Sequence, residues 1–380
     1  MIERRMPSQE AQDLIDLVRD VSASELATKV DEYEREARFP REVFATLGKT
    51  GLLSLPFSED FGGGAQPYVV YLQALEELAS AWLSVGIGVS VHTLSCFALA
   101  EYGTQTQQQA WLADLIGGDL LGAYCLSEPQ SGSDAAALST RAVRDGDSYV
   151  VNGTKAWITH GGVADFYSAM VRTSDDGARG ITCLLVPAET NGVSAPTAER
   201  KMGANASRTA SVLFDDARID VGRRIGAEGE GFRIALAALD SGRLGIAACS
   251  VGLAQAALDC ASNYAHERRQ FGKAIGDFQG LQFMLADMAT AVAAARALYL
   301  EAAGRKDAGL PFGPQAAMAK LFASDTAMRV TTDAVQILGG SGYVADFPVE
   351  RYFREAKVLQ IVEGTNQIQR MVIGRHLMGA

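Results

Sequence analysis

The chain has 380 residues, long enough for more than one domain around a sizeable core. Hydrophobic residues make up 48% and charged ones 21%, the balance of an ordinary globular chain. The net charge of −11 argues against a nucleic-acid partner, which needs a basic face, but leaves room for an anionic ligand held by local arginines.

Five cysteines (Cys96, Cys125, Cys183, Cys249, Cys260) are dispersed without a Cys-x-x-Cys pair, and the four histidines stand apart. That pattern predicts reduced thiols, a cytoplasmic protein and no zinc site. The first residues run into charged helical sequence with no apolar signal-peptide core.

Residues 1 to about 120 predict a helical domain, with helices over 9–21, 23–37, 40–48, 68–94 and 104–115. Breaks fall at Arg38-Phe-Pro-Arg41 and at Phe61 to Pro67, whose three glycines read as a turn. Residues 78–100 carry no charge over a length that could span a bilayer. Their many small and polar residues favour buried walls around a cavity, so no membrane partner is expected.

From about 121 to 225 the pattern changes. Asp145-Gly146, Asn152-Gly153, Asp176-Gly177 and Asn191-Gly192 punctuate runs such as 149–151, 156–159, 181–186 and 211–214. This spacing predicts a compact antiparallel β domain with a hairpin across Asp145-Gly146. Residues 226–380 read as helical again, over 234–265, 281–303, 314–338 and 367–377. Long helices with short connections suggest an up-and-down bundle. In the third of these, Met318, Leu321, Phe322, Met328 and Val335 predict the buried stripe. The order is α, β, α.

The chemistry gathers in a few segments. Glu363 follows Val358, Leu359, Ile361 and Val362 and precedes Gly364 and Thr365. A carboxylate after apolar neighbours is desolvated, which raises its pKa and makes it a stronger base. Gly364 lets a planar ligand approach the backbone, and Thr365 can cap the last helix. An idle, solvated Glu is the alternative.

Ser131-Gly-Ser133, within Tyr124 to Asp134, reads as a phosphate seat or a plain surface loop. Trp157 and Thr159 could meet an aromatic ligand, or Trp157 could pack in the core. Arg268 and Arg269 could cap a helix or clamp a pyrophosphate. Asp240 and Arg243 form a surface ion pair unless they face a cleft.

In this order and spacing, Tyr124–Asp134 and Gln336–Gln369 resemble the two signatures of the acyl-CoA dehydrogenases, above all the short-chain and branched short-chain members. The resemblance covers the whole chain. It implies an α+β fold of an N-terminal helical domain (1–120), a middle antiparallel β-barrel (121–225) and a C-terminal four-helix bundle (226–380). It implies FAD as cofactor, an acyl-CoA substrate, a homotetramer, and electron-transferring flavoprotein as the electron acceptor.

Glu363 matches the base that takes the α-proton while the β-hydride passes to flavin N5. Tyr124, Leu126, Ser127, Gly132 and Ser133, with Trp157, Ile158 and Thr159, match the segments lining the isoalloxazine. Arg268, Phe271 and Gln279, together with Gln336, Ile337, Gly339 and Gly340 of a neighbouring subunit, match contacts to the pyrophosphate and adenine. Thr365 and Gln367 match further FAD contacts, and Ser133, Asp240, Arg243 and Gly364 are the expected substrate contacts.

Val362 stands where many members carry Tyr, and His160 where Asn is common. One branch places its base on an earlier helix, but the matching residue here is Gly242, which cannot act. Two other classes share the sequence features: an oxygen-using oxidase or flavin monooxygenase on the same scaffold, and a non-catalytic acyl-CoA-binding protein.

Overall fold

The computed structural model describes residues 4 and 6–379. Six helices come first: α1 (Gln9–Val21), α2 (Val30–Glu36), α3 (Arg41–Lys49), α4 (Tyr68–Ala81), α5 (Leu83–Tyr102) and α6 (Gln105–Ile116). The predicted helix over 68–94 is two helices, because Trp82 leaves helical geometry at φ −158° and ψ 104°. The break has a cause in another element. Glu34 on α2 accepts the Trp82 indole N–H at 2.8 Å and the Ser84 hydroxyl, and an unbroken helix would aim these two donors differently. The predicted helix over 23–37 is also divided: a π-helical turn, Ser22–Leu26, follows α1 before α2 begins.

The middle region holds β1 (Gly122–Cys125), β2 (Arg141–Asp145), β3 (Ser148–Thr159), β4 (Phe166–Arg172), β5 (Ile181–Pro187), β6 (Val193–Ser194), β7 (Thr209–Asp220) and β8 (Arg224–Ile225). They form one sheet in the order β6-β7-β3-β2-β4-β5-β8, with β1 beside β4. The hairpin falls where expected, with Asp145 opposite Ser148 and Gly146 at φ +60° in the two-residue loop. Most ladders are antiparallel, but β1, and Arg141 of β2, pair with β4 in parallel. The long connection from β1 to β4 permits a parallel return.

Helix α7 (Gly231–Glu267) then runs 37 residues. A short hairpin of β9 (Arg269–Gln270) and β10 (Lys273–Ala274) follows, which composition did not announce. Its tip, Phe271 and Gly272, has positive φ at both residues. The chain ends in α8 (Gln279–Asp307), α9 (Gly313–Leu338), α10 (Gly340–Tyr343), α11 (Val349–Leu359) and α12 (Asn366–Leu377).

The N- and C-terminal helices share one core, which runs from Leu26, Phe44 and Trp82 to Leu244, Val292, Ala323 and Leu359. Within it α9 packs along α7, and Ala316, Ala319, Ala323, Ala327 and Ala334 of α9 are fully buried. The predicted stripe of Met318, Leu321, Phe322, Met328 and Val335 lies to the side, and Phe322 is 39% exposed. Small side chains let the two helix axes approach, and larger ones are displaced to the flanks.

The uncharged stretch 78–100 is interior, as expected. Helices α5, α7 and α8 are each long and apolar enough to cross a membrane, yet the apolar window of α5 is 89% buried by the rest of the fold. Glu76 on α4 joins the layers: it pairs with Arg4 and Arg296, both at 2.9 Å, and accepts the Tyr299 hydroxyl.

Contact between α4 and α7 is so close that a Cβ at Gly252 would lie 2.4 Å from the Glu76 carbonyl oxygen. Gly252→Ala is therefore expected to cost about 1–3 kcal/mol through overpacking. Urea unfolding reads this directly, and an unchanged midpoint would mean that α4 retreats freely.

Candidate active site

Glu363 lies in the turn between α11 and α12. Its φ is +56°, a left-handed conformation that is unfavourable for a residue with a Cβ, and Gly364 follows at +89°. The turn carries the carboxyl back onto α7. Gly242 there leaves it room: a Cβ at 242 would stand 1.9 Å from Glu363 Oε2. That oxygen is buried and makes no hydrogen bond among the described residues. Burial pushes the carboxyl up to about 7, against the pull of Arg243 and Lys320.

Desolvation was expected from the apolar run before Glu363. Leu359 is buried and Val358 and Val362 pack against the core, but Ile361 is 53% exposed, and elements distant in sequence complete the dry surroundings. Beside Gly242 a small pocket is lined by Tyr68, Tyr71, Ser90, Thr93, Leu94, Phe97 and Ser241. It leaves about 10 Å³, barely the space one water needs. The wall over Ser90 to Phe97 falls within the predicted stretch, but Tyr68 and Tyr71 lie before it.

The two predicted β-domain segments are brought together. Ala156 N–H donates to the Ser127 carbonyl at 2.9 Å. Lys155 Nζ donates to the Leu126 carbonyl at 3.1 Å and to Glu128 at 2.7 Å. This buried ion pair, with Ser139 and Thr140 N–H groups also on Glu128, pins the first segment. Tyr124 reaches α7 through a 3.4 Å hydrogen bond from its hydroxyl to the Ala235 carbonyl.

Trp157 sits on a bulge at φ +57° and is 57% exposed, so its indole is presented rather than packed in the core. Ile158 points into the β core, which leaves only its backbone for a ligand; Thr159 is half-buried. Gly132 and Ser133 are exposed, whereas the Ser131 hydroxyl is spent on the Asp134 carbonyl at 2.6 Å. His160 is structural: it is buried between Phe39 and Phe44, and its Nδ1 bonds the Gly122 carbonyl at 2.8 Å. Burial lowers its pKa to about 4, which keeps the ring neutral.

Asp240 and Arg243 pair, but not on the surface. Arg243 is buried, and its Nε has no partner among the described residues. Thr365 caps α12, its hydroxyl accepting Ile368 N–H at 3.4 Å, while Gln367 is exposed.

The remaining predicted residues lie elsewhere. Arg268, Phe271, Gln336, Ile337 and Gly340 line one cavity of about 710 Å³, next to Gln279 and Gly339 in the chain. The expectation divided these residues between two subunits; within one chain, Arg268, Phe271, Gln336, Ile337 and Gly340 share one wall. This cavity adjoins Tyr264, near the far end of α7. From Gly242 to Tyr264 the helix rises about 33 Å, more than an extended dinucleotide spans.

Family models for the acyl-CoA dehydrogenase N-terminal, middle and C-terminal domains match residues 8–119, 123–217 and 229–378. The chain belongs to the acyl-CoA dehydrogenase family. It is 43% identical to the short-chain specific acyl-CoA dehydrogenase of Clostridium acetobutylicum, over 94% of this chain and 95% of that protein. Among solved structures, the butyryl-CoA dehydrogenase of Megasphaera elsdenii superposes with a TM-score of 0.96 at 39% identity, covering 99% of this chain and 100% of the other. A glutaryl-CoA dehydrogenase of Mycobacterium smegmatis in complex with FADH2 gives 0.93 at 30% identity, over 98% and 95% of the two chains.

Lys320, Asn366 and Gln369 were missed at the sequence level and prove central to the turn. A lone lysine in the alanine-rich 316–323 was the available signal.

Gly242→Ala should push the Glu363 carboxyl off α7 toward solvent. Its titration midpoint, followed by carbon NMR of labelled carboxyls, is expected to fall from about 7 toward the ordinary range. A midpoint that stays put would show that the carboxyl does not depend on this contact.

Proposed function

We propose that this acyl-CoA dehydrogenase family member oxidises a short or branched acyl-CoA between its α and β carbons, giving a trans-2-enoyl-CoA, with Glu363 as the base. The observation that carries the proposal is the Glu363 carboxyl itself. It is held against Gly242 with an unpartnered oxygen and a pKa near neutrality. A thioester α-proton is a weak acid, and its removal asks for such a base in a dry site.

The N–H groups of Glu363 and Gly364 enter no backbone hydrogen bond among the described residues, and can meet the oxygen on which negative charge develops. The pocket beside Gly242 has to open to take an acyl chain, which favours a short one over a long one. Half-buried Val362 leaves more room than the Tyr found in many family members.

The residues present fit FAD. Trp157 and the 124–133 segment offer an exposed aromatic face and backbone at the Glu363 end of α7. The 710 Å³ cavity offers Arg268 and Gln336 to a phosphate-bearing end. When bound, the flavin supplies an acceptor for the β-hydride. Because Gly242, where Glu363 sits, and Tyr264, beside the cavity, lie about 33 Å apart along α7, one cofactor would take its flavin seat from one chain and its adenine seat from another. This supports a homo-oligomer, in keeping with the tetramer expected of the family. Electron-transferring flavoprotein is the proposed acceptor of the electrons, and the five free cysteines suit a reducing cytoplasm.

Glu363→Gln is expected to keep flavin and acyl-CoA binding but to slow anaerobic bleaching of the flavin by butyryl-CoA or isobutyryl-CoA by at least about 10²-fold. In the unchanged protein the base acts deprotonated, so kcat/KM should rise with pH and level off above about 7. Near-normal bleaching in the variant would sink the assignment of the base. Sedimentation of the flavin-loaded protein is expected to show more than one chain per particle. A catalytically active, flavin-loaded monomer would contradict the shared site.

A further inference from the structure

Lys320 lies on α9 with no solvent exposure, in an alanine-rich stretch of the helix. Its Nζ donates to the Gly364 carbonyl at 2.9 Å and to Asn366 Oδ1 at 2.8 Å. It forms no ion pair within 4 Å among the described residues, so a buried ammonium is satisfied by neutral oxygens in the turn that bears the base. Burying a charge this way is unfavourable unless something is gained by it.

The same turn is gripped from a second side. Gln369 Nε2 donates to the Gly364 carbonyl at 2.8 Å and to the Glu363 carbonyl at 3.2 Å. Asn366 is itself fixed: Ser324 and Asp325 accept from its Nδ2 at 2.9 and 2.7 Å. Two successive left-handed residues, Glu363 and Gly364, are thus held by side chains from α9 and α12. A strained conformation persists only where its surroundings over-determine it.

We propose that Lys320 is a positioning residue for Glu363: by holding the Gly364 carbonyl it locks the left-handed turn that aims the carboxylate across Gly242. The proposal rests on the assignment of Glu363 as the base.

Lys320 has a second effect through its charge. The groups facing Glu363 are Arg243 and Cys249 from α7, Lys320 from α9, Tyr68 and Tyr71 from α4, and Tyr124 from β1. Burial keeps the thiol and the three phenols neutral. Arg243 is engaged by Asp240. Lys320 is the cation whose charge no carboxylate within salt-bridge distance offsets among the described residues. Burial lowers its own pKa to about 7, while Glu363 and Asp325 favour its charged form. A positive neighbour favours the ionised carboxylate.

Three variants of the flavin-loaded protein separate the two effects. Lys320→Met removes both charge and donor. It is expected to retain flavin and acyl-CoA binding, to slow anaerobic bleaching by about 10²-fold, and to move the pH midpoint of the rate upward by about one unit. Lys320→Arg should bring the midpoint back. Gln369→Leu removes the other donor to the same carbonyl without changing charge, and should slow bleaching with the midpoint unmoved.

A Lys320→Met protein that only melts earlier, with rate and midpoint unchanged, would overturn the proposal. So would a Gln369→Leu protein that bleaches at the full rate. A second readout needs no turnover: the Glu363 carboxyl can be titrated by carbon NMR, with Glu363→Gln assigning the signal. If acyl-CoA fails to bleach even the unchanged protein, the assignment of the base falls. An upward NMR midpoint in Lys320→Met would then still support the Lys320–Glu363 link, and an unmoved one would end it.

Discussion

The structure depends on how closely α7 lets its neighbours approach. A Cβ at Gly242 would meet the Glu363 carboxyl, one at Gly245 the Ser90 hydroxyl at 2.2 Å, and one at Gly252 the α4 backbone. Helix α9, whose buried side is rich in alanine, packs along α7. Close approach of backbones excludes water, and exclusion of water makes a carboxylate there hold its proton until near neutral pH. Fold and chemistry thus share one steric condition, a helix face without bulk.

Much of this was legible in the sequence. The α, β, α order, the hairpin at Gly146, the cap at Thr365 and the place of Glu363 all follow from local signals: periodicity, turn residues, and a Gly-Thr step before a helix. What stayed hidden was set by contact between distant elements. Trp82 breaks a helix because Glu34, 48 residues earlier, takes its indole N–H. The buried side of α9 is its alanine side, packed among other helices. Periodicity rewards large apolar residues, so it chose the flank instead. Lys320 was passed over because a single lysine in an alanine helix has the pattern of a solvated one.

Charge shows the same contrast between global and local. The chain carries −11 overall, yet buried cations occupy the places where ligands would bring negative charge or where carboxylates must be held. Arg243 and Lys320 face Glu363, and Lys155 neutralises Glu128 within the 124–133 segment. None of these is visible in a sum over the sequence.

A helix face built on glycine also has a one-sided relation to change. Glycine is the smallest residue, so any substitution at 242, 245 or 252 adds atoms where a neighbour already stands, and none can remove them. At most core positions a larger side chain can be traded for a smaller one and compensated nearby. Here drift has a floor. Lineages of this chain can vary the flanks of α7 and the rims of its pockets, but the seam between its glycines and their partners can change only if both sides move together.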